Sequence, residues 1–386
     1  MIEQKALSNH PELKETFNNL LQRLEQRISQ KTTDMGEKPF TIPVTHYTDP
    51  SRFEKEQKLL RNKLTALGAA SLVIEPGQFF TVTPYKMPLI VTRDKENKVR
   101  VFANVCSHRG AILKQEKQGC SNAFICPYHS WSYNLNGELL NIPGMKTGMP
   151  NCDKKSLALR EYPCIIRAGI VWTILDNNNT IDTTFDALAN ELDHLLLDDF
   201  QFFHESVYYG DFNWKLGVES FLEVYHFSYA HGKTLPNLKY RNICLIDSFA
   251  DHGRIVVPIN SLEEQMKNIP RSDWEFLQHV NVMYFIFPGN FLLVFDDHFA
   301  WINIEPISQQ KTKLTCTTLV PAKYEEEKKQ KFQRISMGLE MITKEDYELC
   351  ATIQKGLAGK SLDNFSYTCF EEMILRFHNS IDNSLQ

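Results

Sequence analysis

Leu13, Phe17, Leu20, Leu21, Leu24 and Ile28 recur at three- and four-residue intervals with charged residues between them. That period predicts an amphipathic helix over 8–31, with Ser8 or Asn9 as its cap and Pro11 in its first turn. Residues 32–50, with Gly36, Pro39, Pro43 and Pro50, read as loop. A second helix is expected over 50–67, ending near Gly68. From about 71 to 175 the pattern changes to short β-rich runs such as FFTVTPY, PLIVTRD, VRVFANV and PCIIRAGIVWTIL. Turn signals at Glu75-Pro76-Gly77, Asn97 and Asn136-Gly137 separate them, which predicts a small antiparallel β domain. The polar run DNNNT at 176–180 marks a boundary. Beyond it, helical periods near 183–199 and 213–229 precede long apolar strands at 280–287 and 291–305. Helical patterns return over 330–357 and 368–385, and the charged run at 322–334 reads as a solvated helix face. No internal repeat is present.

Composition narrows the class without naming a function. At about 150 residues per domain, 386 residues suggest two to three domains. A net charge of −5 offers no electrostatic reason to bind nucleic acid. No run approaches the roughly 18 apolar residues of a membrane span. The opening MIEQKALSNHPELKETF has no basic stretch followed by an apolar one, so it does not read as a secretory signal. The nine cysteines are an odd number spread over a long chain, which suits a reducing cytoplasm and thiols used as ligands or core residues.

Two groups of residues carry chemistry. The first is Cys106-Ser107-His108 after the run VRVFANV and Cys126-Pro127-Tyr128-His129 after NAFI, a C-x-H and a C-x-x-H separated by 17 residues. Each half offers one thiolate and one imidazole on a turn after a strand. One tetrahedral zinc is a possible occupant, although zinc fingers usually pair Cys with Cys and His with His. The other is a [2Fe–2S] cluster with two thiolates on one iron and two imidazoles on the other. Mixed halves suit the second, because each loop then reaches both irons.

CSHRG…CPYHSW resembles the cluster-binding motif of Rieske non-haem iron oxygenases. That motif alone leaves open a non-catalytic Rieske electron carrier or regulator.

The second group lies in NWKLGVESFLEVYHFSYAH, 213–231. Glu219, Leu222, Glu223 and His226 are spaced to share one helix face. His231, five residues past His226, reaches the same ion only if the helix bends or ends between them. Two His and one carboxylate form the facial triad of non-haem Fe(II) oxygenases. In ITKEDYELCATIQKGL, 342–357, the residues Ile342, Asp346, Leu349, Cys350 and Ile353 form one stripe, with Glu345 and Glu348 on the polar side. Asp346 on an otherwise apolar face would cost roughly several kcal/mol to bury uncompensated, and a cation compensates it. A helix-start Asp favoured by the macrodipole is the alternative.

The family comparison extends to this group. NWK…E-x₃-E-x-Y-H-x₄-H resembles the catalytic motif of Rieske oxygenase α subunits, which implies His226 and His231 as iron ligands. DYELCATIQKGLAG resembles the helix carrying their ligand aspartate, which implies Asp346. Glu223 matches the acidic residue that bridges the two centres; many members have Asp there, and several that act on quaternary amines have Glu. Ser220 stands where many aromatic dioxygenases carry Asn. The resemblance runs from about 45 to 380.

It implies an α+β chain: residues 1–44 as an N-terminal helical segment, an antiparallel β Rieske domain over 45–178, and a helix-grip (START-like) catalytic domain over 179–386, its central antiparallel sheet flanked by helices. It implies a [2Fe–2S] cluster held by Cys106, His108, Cys126 and His129, a mononuclear Fe(2+), and Glu223 coupling His226 to the cluster of a neighbouring subunit in a homotrimer. No G-x-G-x-x-G follows a strand, and no plant-type ferredoxin cysteine run is present. A separate ferredoxin or flavin reductase is therefore expected to supply electrons, with O2 and an aromatic compound or quaternary amine as substrates. The strands 280–287 and 291–304, with Phe221, Tyr225 and Phe227, are expected to line the pocket.

Overall fold

A computed structural model describes residues 11–176, 186–195, 199–232, 234–235, 239–260, 262–268, 270 and 276–386. The chain forms two compact units, Met1–Leu59 with Thr183–Gln386, and Leu60–Asp182. Helix α1 (Pro11–Gln30) buries Leu13, Phe17, Leu20, Leu21 and Leu24 as the period requires, and Ile28 is half-buried. Its expected start at 8–10 lies outside the described residues.

The first expected boundary, at 44, moves to 59. Thr45–Leu59 belongs with the larger unit because its side chains are buried there: Tyr47 is bonded to Glu219, and Glu56 meets Lys215 at 2.5 Å. The second, at 178, lies outside the described residues. Helix α2 (Pro50–Arg61) is also shorter than its expected span. Thr65–Ala69 is instead a strand paired with Ile170–Thr173, since Thr65, Ala66, Leu67 and Ala69 are all buried and only pairing satisfies their backbone.

In the smaller unit, a five-stranded antiparallel sheet runs in the order Glu161–Tyr162, Val99–Ala103, Leu89–Arg93, Gln78–Val82, Gln118–Cys120. Leu89, Ile90 and Val91 are all buried, because both faces of their strand are covered. Alternation sends Ile90 to a core with Phe79, Phe102, Cys106, Cys126 and Tyr133, and Leu89 and Val91 to another with Phe80, Val101 and Leu67. A three-stranded sheet, Phe124–Ile125, Ser132–Tyr133 and Leu139–Asn141, carries the second Cys/His loop.

The larger unit is built on seven antiparallel strands: β1 (Phe200–Gly210), β2 (Leu245–Phe249), β3 (His252–Pro258), β4 (Val280–Ile286), β5 (Asn290–Val294), β6 (Phe299–Ser308) and β7 (Lys311–Pro321). Their order is β1-β7-β6-β5-β4-β3-β2. The run expected as one strand over 291–305 is two, because Phe295–His298, with Asp296 and Asp297, makes a hairpin turn. The expected helix over 213–229 is likewise two pieces, α3 (Trp214–Glu219) and α4 (Phe227–Ala230). Of that over 183–199, Asp186–Asp193 is helical, and 183–185 and 196–198 lie outside the described residues.

Helix α5 (Glu326–Ala358) merges two expected helices and packs on β1 and β7, with Ser336 Oγ 3.1 Å from Thr318 Oγ1. Its buried face is Phe332, Ser336, Thr343, Asp346, Tyr347, Cys350, Gln354 and Leu357. Leu349 and Ile353, expected inside, are 46% and 42% exposed. Helix α6 (Glu372–Leu385) closes the unit, burying Met373, Ile374, Phe377 and Ile381. Among the described residues no helix is long and apolar enough to cross a membrane.

Candidate metal centres

The two Cys/His loops of the smaller unit share one backbone design. In the first, Cys106 N–H donates to Ala111 O at 2.8 Å and Gly110 N–H to Cys106 O at 2.9 Å. In the second, Cys126 N–H donates to Trp131 O at 2.8 Å and Ser130 N–H to Cys126 O at 3.0 Å. Both cysteines are buried, whereas His108 is exposed and His129 half-buried. Their rings lie edge to face with centroids 4.8 Å apart, and Trp131 stacks on His108 at 4.7 Å. The thiols thus face the core and the imidazoles the surface.

Tyr133 supports the inner end, its hydroxyl 3.3 Å from Cys106 Sγ while accepting from Ser107 N–H. Burial opposes a thiolate at Cys126, but the N–H groups of Tyr128 and His129 outweigh it and hold the thiol below its ordinary value. His129 Nδ1 is buried with no hydrogen-bond partner, an arrangement that a metal bond would satisfy. Among the described residues, groups of three or more donors within 4.8 Å occur at His226–His231–Asp346 and at Asp296–Asp297–His298. Two buried thiols on the core side and two imidazoles on the surface side fit a cluster with one iron on each pair.

In the larger unit, Asn213 caps α3 by accepting from Lys215 N–H, and the helix stops at Glu219. The expected common face of Glu219, Leu222, Glu223 and His226 therefore does not form. Glu223 instead folds over the next turn, accepting from His226 N–H at 3.1 Å and from the His226 ring at Nδ1. His226 and His231 occupy the two caps of α4. A pair that would diverge on a continuous helix converges because neither residue lies inside one.

Asp346 on α5 completes the group, its Oδ1 3.4 Å from His226 Nε2 and 3.1 Å from His231 Nε2. Both Nε2 atoms are buried and without a hydrogen-bond partner. Each Nδ1 faces a carboxylate: Glu223 for His226, and Glu345 for His231 at 2.8 Å. Each Nδ1 thus gives its proton to a carboxylate, and Nε2 is the atom left to face Asp346 or a cation shared with it. Burial favours a neutral His226, but Asp346 and Glu223 outweigh it and raise its pKa to about 10. Burial likewise opposes the charged Asp346, and the two imidazoles hold it below the ordinary carboxylate range. Three carboxylates around two imidazoles attract positive charge, which a divalent cation supplies.

Of the expected pocket aromatics, Phe227 lies nearest, its ring 4.9 Å from His226 and 5.7 Å from His231. Phe221 packs on Phe291 of β5 at 5.1 Å. Tyr225 turns outwards, 37% exposed and against Phe370. Glu219 is drawn into a separate buried network, accepting from Tyr47 at 2.7 Å, His378 at 2.9 Å and Tyr367 at 2.9 Å. Sequence reasoning missed Glu345, which it placed on a solvated face, and gave no signal for the Glu219 network, whose members are far apart in the chain.

Residues 65–163 match the model of the Rieske [2Fe-2S] domain, and residues 197–386 that of the ring hydroxylating alpha subunit catalytic domain. The chain belongs to the Rieske oxygenase α subunits. The choline monooxygenase of Spinacia oleracea is 25% identical over 394 residues, 99% of this chain and 86% of that protein. That of Amaranthus tricolor is 27% identical, over 89% of this chain and 77% of that protein. The 2-aminobenzenesulfonate 2,3-dioxygenase α subunit of an Alcaligenes species is 32% identical over 49% of this chain and 51% of that protein. Among solved structures, the quaternary ammonium Rieske monooxygenase CntA with L-carnitine superposes with a TM-score of 0.77 at 18% identity, covering 96% of this chain and 99% of that one. Naphthalene 1,2-dioxygenase from a Rhodococcus species superposes at 0.76 and 18% identity, covering 95% and 98%.

This Rieske oxygenase thus carries a [2Fe–2S] cluster and a mononuclear iron, and it is a terminal oxygenase that uses O2, an organic substrate and electrons from a separate donor. The donor sets above, with three partnerless buried imidazole nitrogens, fit both groups.

Proposed function

We propose that Cys106, Cys126, His108 and His129 hold the cluster, that His226, His231 and Asp346 hold the iron, and that the substrate is a quaternary ammonium compound. The convergence of His226, His231 and Asp346 supports the catalytic reading. An electron carrier with a cluster alone has no use for it. The substrate reading rests on reach: the choline monooxygenases match nearly the whole chain, whereas the aminobenzenesulfonate dioxygenase matches about half. Glu223, in place of the Asp of many members, points the same way. Phe221 and Phe227 offer aromatic faces, which attract a trimethylammonium group through cation–π contact.

In this reading His226, His231 and Asp346 would hold the iron as its three protein ligands. When bound, the cluster supplies electrons and the iron activates O2 beside the substrate. Glu223 keeps the His226 proton on Nδ1, so that Nε2 stays available as a ligand. Phe227 shields the two rings from water. Exposed His108, and Tyr128, 58% exposed and packed on His129, present the cluster end of the smaller unit to a partner.

The partner we propose is the next subunit of a homotrimer, in which the cluster loops of one subunit meet Glu223 of another. Inter-subunit electron transfer is attributed to the solved quaternary ammonium monooxygenase. Nine free thiols, two of them used by the cluster, suit a cytoplasmic location. The test is oxygen uptake with a compatible reductase against choline, glycine betaine, carnitine and aromatic acids. Coupled uptake with a quaternary amine is expected; coupled uptake with an aromatic acid alone overturns the substrate reading.

A further inference from the structure

The His231 ring is gripped at both ends by consecutive residues of α5. Its Nδ1 lies 2.8 Å from Glu345 Oε2 and its Nε2 3.1 Å from Asp346 Oδ1. The ring is fully buried, while the Glu345 side chain is 28% exposed. Lys344 and Glu348, on the same stretch of helix, are each 71% exposed. Glu345 alone of these charged neighbours turns inwards, and Thr234 Oγ1 donates to the same carboxylate oxygen. Fixing a long acidic side chain costs rotamer entropy, and a solvated Glu would gain as much from water. What it gains here is a directed hydrogen bond to a buried imidazole.

That bond selects a tautomer. With the proton on Nδ1 and donated to Glu345, Nε2 is a lone pair facing Asp346 and His226. With the proton on Nε2, the ring would point a hydrogen into the space that the three donors share, and Nδ1 would set its lone pair against the Glu345 carboxylate. The second arrangement is repulsive at Nδ1, and at Nε2 its proton takes the place that a shared cation would fill.

We propose that Glu345 is a positioning residue for the iron site, holding His231 in its ligating tautomer with Thr234 fixing the carboxylate. This rests on the reading of His231 as an iron ligand. The two imidazoles are then held differently: His226 by Glu223 from its own turn, and His231 by a carboxylate 114 residues away on the helix that also carries Asp346. Helix α5 thus sets both the third ligand and the orientation of the second.

The test is an Fe(II) titration of the full-length, cluster-loaded protein. Glu345→Ala is expected to weaken Fe(II) binding 10- to 100-fold, in the range of other outer carboxylate losses. The visible spectrum of the cluster and the melting temperature of the iron-free protein are expected to stay unchanged, which a merely structural role would not allow. Glu345→Gln keeps an acceptor oxygen and falls in between. Thr234→Val shows a smaller loss, and Glu348→Ala none. Should Glu345→Ala fail to fold, Glu345→Gln carries the test, and affinity equal to the parent's overturns the proposal. Affinity of Glu345→Ala within twofold of the parent, with His231→Ala losing the metal, overturns the positioning role alone. Full affinity in His231→Ala overturns the ligand reading on which it stands.

Discussion

Gly110 and Ser130 hold the same place in the two cluster loops, with φ of 74° and 59°, each donating its N–H to the cysteine four residues before it. In both loops the left-handed residue closes the turn that brings the chain back onto the cysteine. A non-glycine residue in that region costs about 1–2 kcal/mol. Nothing lies within 4 Å of a Cβ built on Gly110, so backbone strain is its whole constraint. Gly110→Ala is expected to destabilise the smaller unit by about 1 kcal/mol, and Ser130→Gly to be neutral or slightly stabilising. Thermal unfolding of the two variants checks the sign of each.

His226, His231 and Asp346 share one point, so removing any of them should act on one metal only. His231→Ala and Asp346→Asn are each expected to lose the mononuclear iron and the hydroxylation activity. Acid-labile sulfide and the visible spectrum of the cluster should remain. Cys126→Ser is expected to do the reverse to the spectrum, losing the cluster chromophore. Iron and sulfide analysis of the three variants separates the centres.

Much of this site was legible because its chemistry is local. Cys106 with His108, and Cys126 with His129, each lie on one loop, and a cluster requires that spacing. Asp346 stood out as a carboxylate on a helix stretch rich in apolar residues. The apolar stripe of that helix matches the buried face only at Asp346 and Cys350, however. Apolar content pointed to Leu349 and Ile353 as buried, whereas the covered face runs through Ser336, Thr343, Tyr347 and Gln354. That error put Glu345 on the solvated side. The break after Glu219 was illegible for another reason. It depends on Glu223 folding onto His226, and on Tyr47, Tyr367 and His378 holding Glu219 from segments 148 to 172 residues away. No window along the chain contains those partners. The strand Thr65–Ala69 was missed because its pairing partner, Ile170–Thr173, lies about a hundred residues on.

Asp94 makes the smaller unit sensitive to acid. It is fully buried in the hairpin turn before Val99–Ala103, accepting from Glu96 N–H at 3.0 Å, Lys98 N–H at 2.8 Å and Arg100 Nε at 2.6 Å. Burial would raise its pKa, but Arg100 and the two N–H groups outweigh that and hold it below the ordinary value. A depressed pKa gives stability that is complete above the unfolded value of about 3.9 and lost as the pH falls through the folded one. Asp94→Asn is expected to cost about 1–3 kcal/mol at pH 7, and the difference from the parent should shrink below about pH 4. Denaturant unfolding at the two pH values measures it.

Lys215 and Glu56 are both fully buried and meet at 2.5 Å, with Trp214 Nε1 and Arg52 also donating to Glu56. Removing one partner of such a pair leaves the other charged in a dry site, which costs about 3–5 kcal/mol. Because Arg52 still compensates Glu56, Lys215→Met is expected near the lower end, about 3 kcal/mol. The joint change Lys215→Met with Glu56→Gln should recover part of that loss. Chemical denaturation of the single and double variants tests the coupling.

Glu223 touches His226 twice, at the ring Nδ1 and at the backbone N–H. Glu223→Gln keeps an acceptor for the ring proton and a similar shape, so the turn and the iron site should survive. If Glu223 is the bridge, the variant loses the charge that couples the imidazole to the neighbouring centre, while the side chain itself is 11% exposed. Both metals are therefore expected to stay bound while substrate hydroxylation falls by about 100-fold or more, against the 10- to 100-fold that loss of an outer partner usually brings. The excess is the signature of a bridge, since a residue that only orients His226 would change iron affinity and turnover together. Metal content measured beside single-turnover product formation decides it: full turnover in Glu223→Gln removes the bridge, and iron loss in step with activity reduces Glu223 to a support for His226.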